Sequence, residues 1–281
     1  MNQVLNISPL DGRYKNKTNI LEKFFSEYAY IKYRLIVEIE YLIKLKSVFN
    51  IDIIDENLRY IYINLSLNDV LRIKDIEKKI NHDVKSIEYF IKDKLNNKYK
   101  EYVHFGLTSQ DVNNTAISMS ISDCLERIIY NRINKIQSKL DYFFNNWKNV
   151  SMLGRTHGQI ASPTTLGKEL FVFHYRLGIE FSELKKIKLY TKFGGAVGNL
   201  NAHYVAFPNI DWIEWCDTFI SSLGLHRSRF TTQIDNYDSI SRILDSLKRM
   251  CVILTDLCQD IWLYISLNYF KLKINSEEVG S

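Results

Sequence analysis

The amino-acid sequence predicts an all-α protein, and three observations carry that prediction. Helix interrupters are sparse, with 3 prolines and 11 glycines in 281 residues. Neither type occurs between Gly12 and Gly106, between Gly106 and Gly154, or between Gly224 and Gly280, so long helices are permitted there. Within the second gap Ile117, Ile121, Cys124 and Ile128, then Ile129, Ile133, Ile136, Leu140, Phe143 and Trp147, keep the three-and-four spacing of an amphipathic helix. Sustained alternation of apolar and polar residues, the mark of a strand, is rare.

The first hundred residues read as shorter helices, broken near Asn50, Asn64, Asn68 and Asn96-Asn97. A helix from about Asp111 to Trp147 would be roughly 55 Å long at ~1.5 Å per residue. A helix of that length needs partners along its whole face, which points to a bundle and to subunit association. A domain boundary is expected near Tyr102–Gly106, between an N-terminal helical domain (1–105) and a long-helix bundle domain (106–281).

Composition narrows the function classes. At 46 % hydrophobic and 25 % charged, the chain has ordinary globular composition and is not a disordered segment. The net charge of +5 is dispersed, as where Lys185-Lys186-Ile187-Lys188 follows Glu180 and Glu183; this reads as a solvated helix face and not as a nucleic-acid surface. The four cysteines form no Cys-x-x-Cys pair, and Cys251 and Cys258, seven apart, are expected to pack as small core residues. Free thiols, no signal-peptide pattern in Met1-Asn2-Gln3-Val4 and no apolar run near ~18 residues together predict a cytoplasmic protein without a membrane span.

Polar, mostly glycine-bearing segments punctuate the helices: Ser8–Tyr14, Asn81-His82-Asp83-Val84, His104–Asp111, Gly154–Gln159 and Gly194–Asn199. Singly, each has a structural explanation. Thr108 or Ser109 could cap the long helix, the glycines at 194–198 could end one, and His82 could be an ordinary hydrogen-bonded histidine. The His157 segment goes further. Gly154 and Gly158 bracket Arg155-Thr156-His157 and Pro163 follows, so a tight turn between two helices would expose an imidazole, a guanidinium and a hydroxyl together. No His-x-x-x-His, Gly-x-Ser-x-Gly or Gly-Lys-Ser/Thr motif is present, so no metal site is expected and nucleophilic catalysis lacks local support. General acid–base chemistry is what this inventory offers.

Together and in this order, the segments resemble the adenylosuccinate lyase branch of the fumarase/aspartase superfamily, from Ser8 to Ser281. Thr108-Ser109-Gln110-Asp111 resembles the superfamily's Thr-Ser-x-Asp helix start, and Gly154-Arg155-Thr156-His157 resembles its second conserved region. Gly158-Gln159 with Pro163, Asp11-Gly12-Arg13-Tyr14, Asn81-His82-Asp83-Val84-Lys85 and Thr231-Thr232-Gln233-Ile234 point to the branch. The resemblance implies a homotetramer with active sites shared among subunits. It implies release of fumarate from adenylosuccinate, giving AMP, and from the succinyl-carboxamide ribotide of purine synthesis, with no cofactor. His157 would be the acid and Ser281 the base. Arg13 and Tyr14 would hold the phosphate, Asn81, His82 and Asp83 would line the site, Thr108 and Ser109 would bind a succinyl carboxylate, and Gln233 would orient the substrate.

Ser281 matches the serine that opens the family's mobile loop, Gly-Ser-Ser-x-Met-Pro-x-Lys-x-Asn-Pro, and is also the last residue given. The expectation is therefore an incomplete bundle domain without the C-terminal domain, and little activity from these 281 residues alone. A catalytically silent helical scaffold or assembly partner is the competing reading.

Overall fold

The computed structural model describes residues 5–52, 54–273 and 277. It bears out the all-α expectation: among the described residues the strands are four short ones, in two two-stranded sheets. The chain divides into two compact units, residues 1–128 with 188–237, and residues 129–187 with 238–281.

The first unit opens with two single-turn helices, α1 (Lys15–Thr18) and α2 (Glu22–Phe25), and is built around α3 (Glu27–Phe49). Ser26 caps α3 by accepting from the Ala29 N–H, and Asn50 ends it in the left-handed conformation. Ile31, Leu35, Ile39 and Leu42 form one stripe of α3, packed into a core with Leu58 of α4 (Asp55–Ile63), Ile73 of α5 (Leu67–Ile80) and Ile87, Phe90 and Ile91 of α6 (Asp83–Lys94). Each such buried side chain is worth about 1.5–3 kcal/mol. Asn64 marks a helix end, as expected, but Asn68 does not. It lies inside α5, because Ser66 and Asp69 satisfy each other's backbone N–H groups in a capping box that starts the helix at Leu67.

The expected long helix runs unbroken from Ser109 to Trp147: α7 (Ser109–Cys124), a π-helical turn (Leu125–Ile129) and α8 (Tyr130–Trp147). Its apolar stripe holds in α8, where Ile133 and Leu140 are buried. In α7 it does not. Ile117 and Ile121 are only half-buried, while Asp111, Asn114, Thr115 and Ser118 lie fully inside beside Val112 and Ala116. The inner face of α7 is polar.

That face meets β3 (Tyr190–Lys192), which pairs in parallel with β4 (His226–Ser228). Between the two strands run α10 (Asn201–Ala206) and α11 (Trp212–Ser222). Tyr41 packs edge-on against Phe193, Trp215 and Phe219, Trp215 stacks on Phe219, and His203 lies against Trp212. The Tyr41 hydroxyl donates to the Phe105 carbonyl (2.9 Å) and lies 2.7 Å from His203 Nε2. A tyrosine has one proton to give, so Nε2 carries the imidazole proton and Nδ1 is left buried without a partner.

The second unit contains α8, a hairpin of β1 (Ser151–Thr156) and β2 (Gln159–Thr165), α9 (Leu166–Lys186) and α12 (Asp238–Ser266). Arg176 bonds Asp256 and Arg249 bonds Glu180, flanking the α9–α12 contact. Cys251 and Cys258 are exposed and do not pack in the core as expected; Met250, Ile253 and Leu257 occupy the buried face of α12 instead. Among the described residues no helix is long and apolar enough to cross a membrane.

Burial lowers the His203 pKa to about 4, against a smaller opposing pull from the Asp111 carboxylate. The unfolded chain takes up this proton near the usual ~6.5, the folded chain only near 4. Stability is therefore lost as pH falls through that window. Chemical denaturation at pH 7 and pH 4 should show an acid loss smaller by about 3 kcal/mol in His203→Gln than in the parent.

Candidate active site

The start of α7 is fixed from three directions. Asp111 accepts the Thr108 N–H (2.8 Å), closing the helix start on itself. The same carboxylate accepts the N–H groups of Gly194 (2.8 Å) and Gly195 (3.1 Å) and pairs with Lys192 Nζ at 2.7 Å, both side chains being 0 % exposed. Lys192 Nζ also donates to the Gly195 carbonyl (2.5 Å). One turn further, Asn114 Oδ1 accepts from the Thr191 hydroxyl (2.7 Å) and the Lys192 N–H (2.6 Å). Thr108 is thus the N-cap residue and Ser109 the first helical one, both half-buried at the helix end that favours anions.

The glycine segment reaches the Gln233 segment by close approach. A Cβ at Gly198, whose φ is +83°, would stand 2.1 Å from the Thr231 carbonyl oxygen, so only glycine fits. The same segment is tied to α7, where Asn114 Nδ2 donates to Asp235 (3.3 Å) and Gln110 Nε2 to the Tyr237 hydroxyl (2.6 Å). Gln233 itself is exposed.

Asn81-His82-Asp83 forms the junction between α5 and α6. Asn81 ends α5 at φ +53°, and His82 caps α6, its Nδ1 accepting the Lys85 N–H at 3.0 Å. Asp83 accepts from Arg34, whose guanidinium also donates to Asn113 of α7 (2.8 Å) and lies 3.8 Å from the centre of the Tyr30 ring. Arg34 therefore joins the His82 junction to the helix that carries Thr108 and Ser109. A more deeply buried pair involves Arg34's own helix. Glu38, one turn on in α3, bonds His104 Nδ1 at 2.5 Å. Burial pulls the His104 pKa down, but the carboxylates of Glu38, Glu88 and Asp111 together raise it and the net shift is upward.

Arg13 and Tyr14 are exposed, the Arg13 guanidinium 5.7 Å from the Tyr14 ring centre. His157 belongs to the second unit and is exposed at the tip of the β1–β2 hairpin. The turn is not between two helices as expected: His157 (φ +51°) and Gly158 (φ +74°) form a two-residue hairpin turn, whose twist suits antiparallel strands. Ser281, the expected base, lies outside the described residues.

Sequence reasoning did not single out Arg34, Glu38, Asn113, Asn114 or Lys192. Arg34 and Glu38 did leave a signal, since they are charges four apart within the most apolar stretch of α3 and so share a buried helix face. Chemically, the first unit offers fixed donors around a helix start, and the hairpin offers an exposed imidazole. Such groups hold anions and move protons. Among the described residues, no group of three His, Cys, Asp or Glu side chains could hold a metal.

Residues 12–281 match the family described as "Lyase". The chain belongs to that lyase family. It is 46 % identical to an adenylosuccinate lyase of Dictyostelium discoideum, covering 100 % of this chain and 64 % of that protein. It is 42 % identical to that of Legionella pneumophila (98 % and 63 %) and 39 % identical to that of Haemophilus influenzae (98 % and 63 %). The chain thus spans somewhat under two thirds of these relatives' length. The fold is similar to a fumarate lyase from Mesorhizobium sp. BNC1 (TM-score 0.74, 20 % identity, 88 % of this chain and 57 % of that one). It is similar also to a β-carboxy-cis,cis-muconate cycloisomerase from Acinetobacter calcoaceticus (TM-score 0.73, 22 % identity, the same coverage).

Replacing Asp111 by Asn keeps the shape but leaves the Lys192 ammonium buried without its counter-charge. Urea unfolding should show a loss of about 3–5 kcal/mol. A loss below about 1 kcal/mol would mean that Lys192 finds water or another partner.

Proposed function

We propose that this chain carries the larger part of an adenylosuccinate lyase. The enzyme would release fumarate from adenylosuccinate to give AMP, and from the succinyl-carboxamide ribotide in the same way. The observation that carries this reading is the similarity, at 46 % identity over the whole chain, to a relative of that name. The segments of the first unit support it. Thr108 and Ser109 at the α7 start suit a succinyl carboxylate.

The elimination needs two proton transfers. A base takes a proton from the succinyl β-carbon, and its bonding pair becomes the new carbon–carbon double bond. The pair of the breaking carbon–nitrogen bond stays on nitrogen, which an acid protonates. A histidine is suited to the second role because its ordinary pKa lies near working pH; His157, exposed on its hairpin tip, would fill it. Ser281 would be the base. Charge growing in the carboxylate beside the β-carbon calls for fixed donors, the part given to Thr108 and Ser109. Asn81, His82 and Asp83 would line the site, Gln233 would orient the substrate, and Arg13 and Tyr14 would hold the phosphate.

The second unit supports assembly into a homotetramer with shared sites. Val172, Tyr175 and Ile179 of α9, and Leu244, Val252, Trp262 and Leu263 of α12, are all more than 40 % exposed. A patch of this kind on long helices is what a bundle partner covers. Cytoplasmic residence accords with purine synthesis as the setting.

The test is adenylosuccinate cleavage followed by ultraviolet absorbance, using the protein expressed from its full reading frame. His157→Gln should lower kcat by roughly 10²–10⁴-fold without changing the tetramer seen by size-exclusion chromatography with light scattering. Unimpaired turnover in that variant would remove His157 from the acid role, and a parent protein with no turnover would favour the silent scaffold.

A further inference from the structure

The segment that carries Gln233 has little structure of its own. Residues 231–237 belong to no helix or strand, and Thr232, Gln233 and Ile234 are exposed. Within the segment the Thr232 hydroxyl donates to the Ile234 carbonyl at 3.4 Å, a long bond. Such a segment stays in one place only through what its ends are tied to.

Both ends are tied. At Thr231 the hold is steric: its carbonyl oxygen packs where a Cβ on Gly198 would come within 2.1 Å. At the other end the hold is polar, and it comes from α7. Asn114 Nδ2 donates to Asp235 (3.3 Å), and the same carboxylate oxygen accepts the Tyr237 N–H (2.7 Å). Gln110 Nε2 donates to the Tyr237 hydroxyl (2.6 Å). Gln110 and Asn114 are four apart and so share one face of α7, the helix that Thr108 caps and Ser109 begins. Tyr237 has φ +59°. A bulky L-residue keeps that left-handed conformation only where its surroundings hold it. The bond from Asp235 to Tyr237 turns back within the segment; the bond from Gln110 ties Tyr237 to the helix directly.

We propose that Gln110 is a positioning residue: through the Tyr237 hydroxyl it closes the 231–237 segment onto the start of α7 and so fixes where Gln233 stands relative to Thr108 and Ser109. The consequence for function rests on the lyase reading above, in which Gln233 orients the substrate whose carboxylate Thr108 and Ser109 bind. Gln110 touches no substrate in this account. It makes two parts of the site, far apart in the chain, move as one.

The test is a double-variant cycle in the full-length protein, read in two ways. The first is hydrogen exchange by mass spectrometry, with the Tyr237 amide resolved by overlapping peptides. Gln110→Met removes the donor at nearly constant volume, and Tyr237→Phe removes the hydroxyl alone. Each should speed exchange of the Tyr237 amide by about tenfold or more, while α3 and the Thr108 amide, which bonds Asp111, keep the parent rate. The double variant should exchange no faster than the faster single one, because both substitutions remove the same bond. Parent-like exchange in either single variant overturns the proposal, as do single effects that multiply in the double one. If one single variant does not fold, the other decides alone.

The second reading is turnover. Where the parent is active, each single variant should lower kcat by roughly tenfold to a hundredfold with little change in KM, since the carboxylate donors stay and only alignment is lost. The double variant should again fall no further. Faster exchange with kcat unchanged would make Gln110 a purely structural contact and overturn its positioning role. A parent without turnover would count against the lyase reading, and exchange alone would then decide whether Gln110 holds the segment.

Discussion

The first unit depends on one buried ion pair, between Asp111 at the start of α7 and Lys192 at the end of β3. Two fully buried charges are costly to remove from water, and their mutual attraction alone does not repay that cost. The balance is met here by the rest of the shell. Asp111 accepts three backbone N–H groups, from Thr108, Gly194 and Gly195, and Lys192 donates to the Gly195 carbonyl. Each of these bonds is charge-assisted, and so stronger than a neutral one. A single carboxylate thereby draws a helix start, a strand and a glycine turn into one place.

This constraint explains why the inner face of α7 is polar. Asp111 and Asn114 are buried because β3 and the glycine turn present backbone N–H groups that need partners, and Thr115 is buried beside them against the Thr191 hydroxyl. A reader of periodicity sees Ile117 and Ile121 and places the core on the wrong side of this helix. In α8, where the neighbour is an apolar helix face, the same pattern reads correctly at Ile133 and Leu140. Asn68 failed for a related reason. Asparagine is a frequent helix breaker, but a Ser66–Asp69 capping box two residues earlier had already settled where α5 begins.

The fold class was legible because glycine and proline are absent over such long stretches. The segments that form the candidate site were legible as clusters of polar and glycine residues; their wiring was not. Asp111 stood inside a recognised motif, but its partner Lys192 lies 81 positions away in the chain, at no spacing that pattern reading can connect. Arg34 was hidden in the same way, although a charge on the buried stripe of α3 is a signal that a satisfied ion pair lies inside. His157 was found by its neighbours in sequence, yet its setting was misjudged. A left-handed His-Gly pair specifies a hairpin turn, and short strands between long helices leave little periodicity to detect.

The central claim is that the Asp111 cluster forms part of the stable core of its unit and opens only when that unit unfolds. Native-state hydrogen exchange at Thr108, Gly194 and Gly195, whose amides all bond the Asp111 carboxylate, measures this directly. The account predicts exchange free energies for all three equal to those of the Leu35 and Ile39 amides at the centre of α3, rising and falling with them in denaturant. Exchange of the glycine amides through a low-energy local opening, while α3 stays protected, would contradict it.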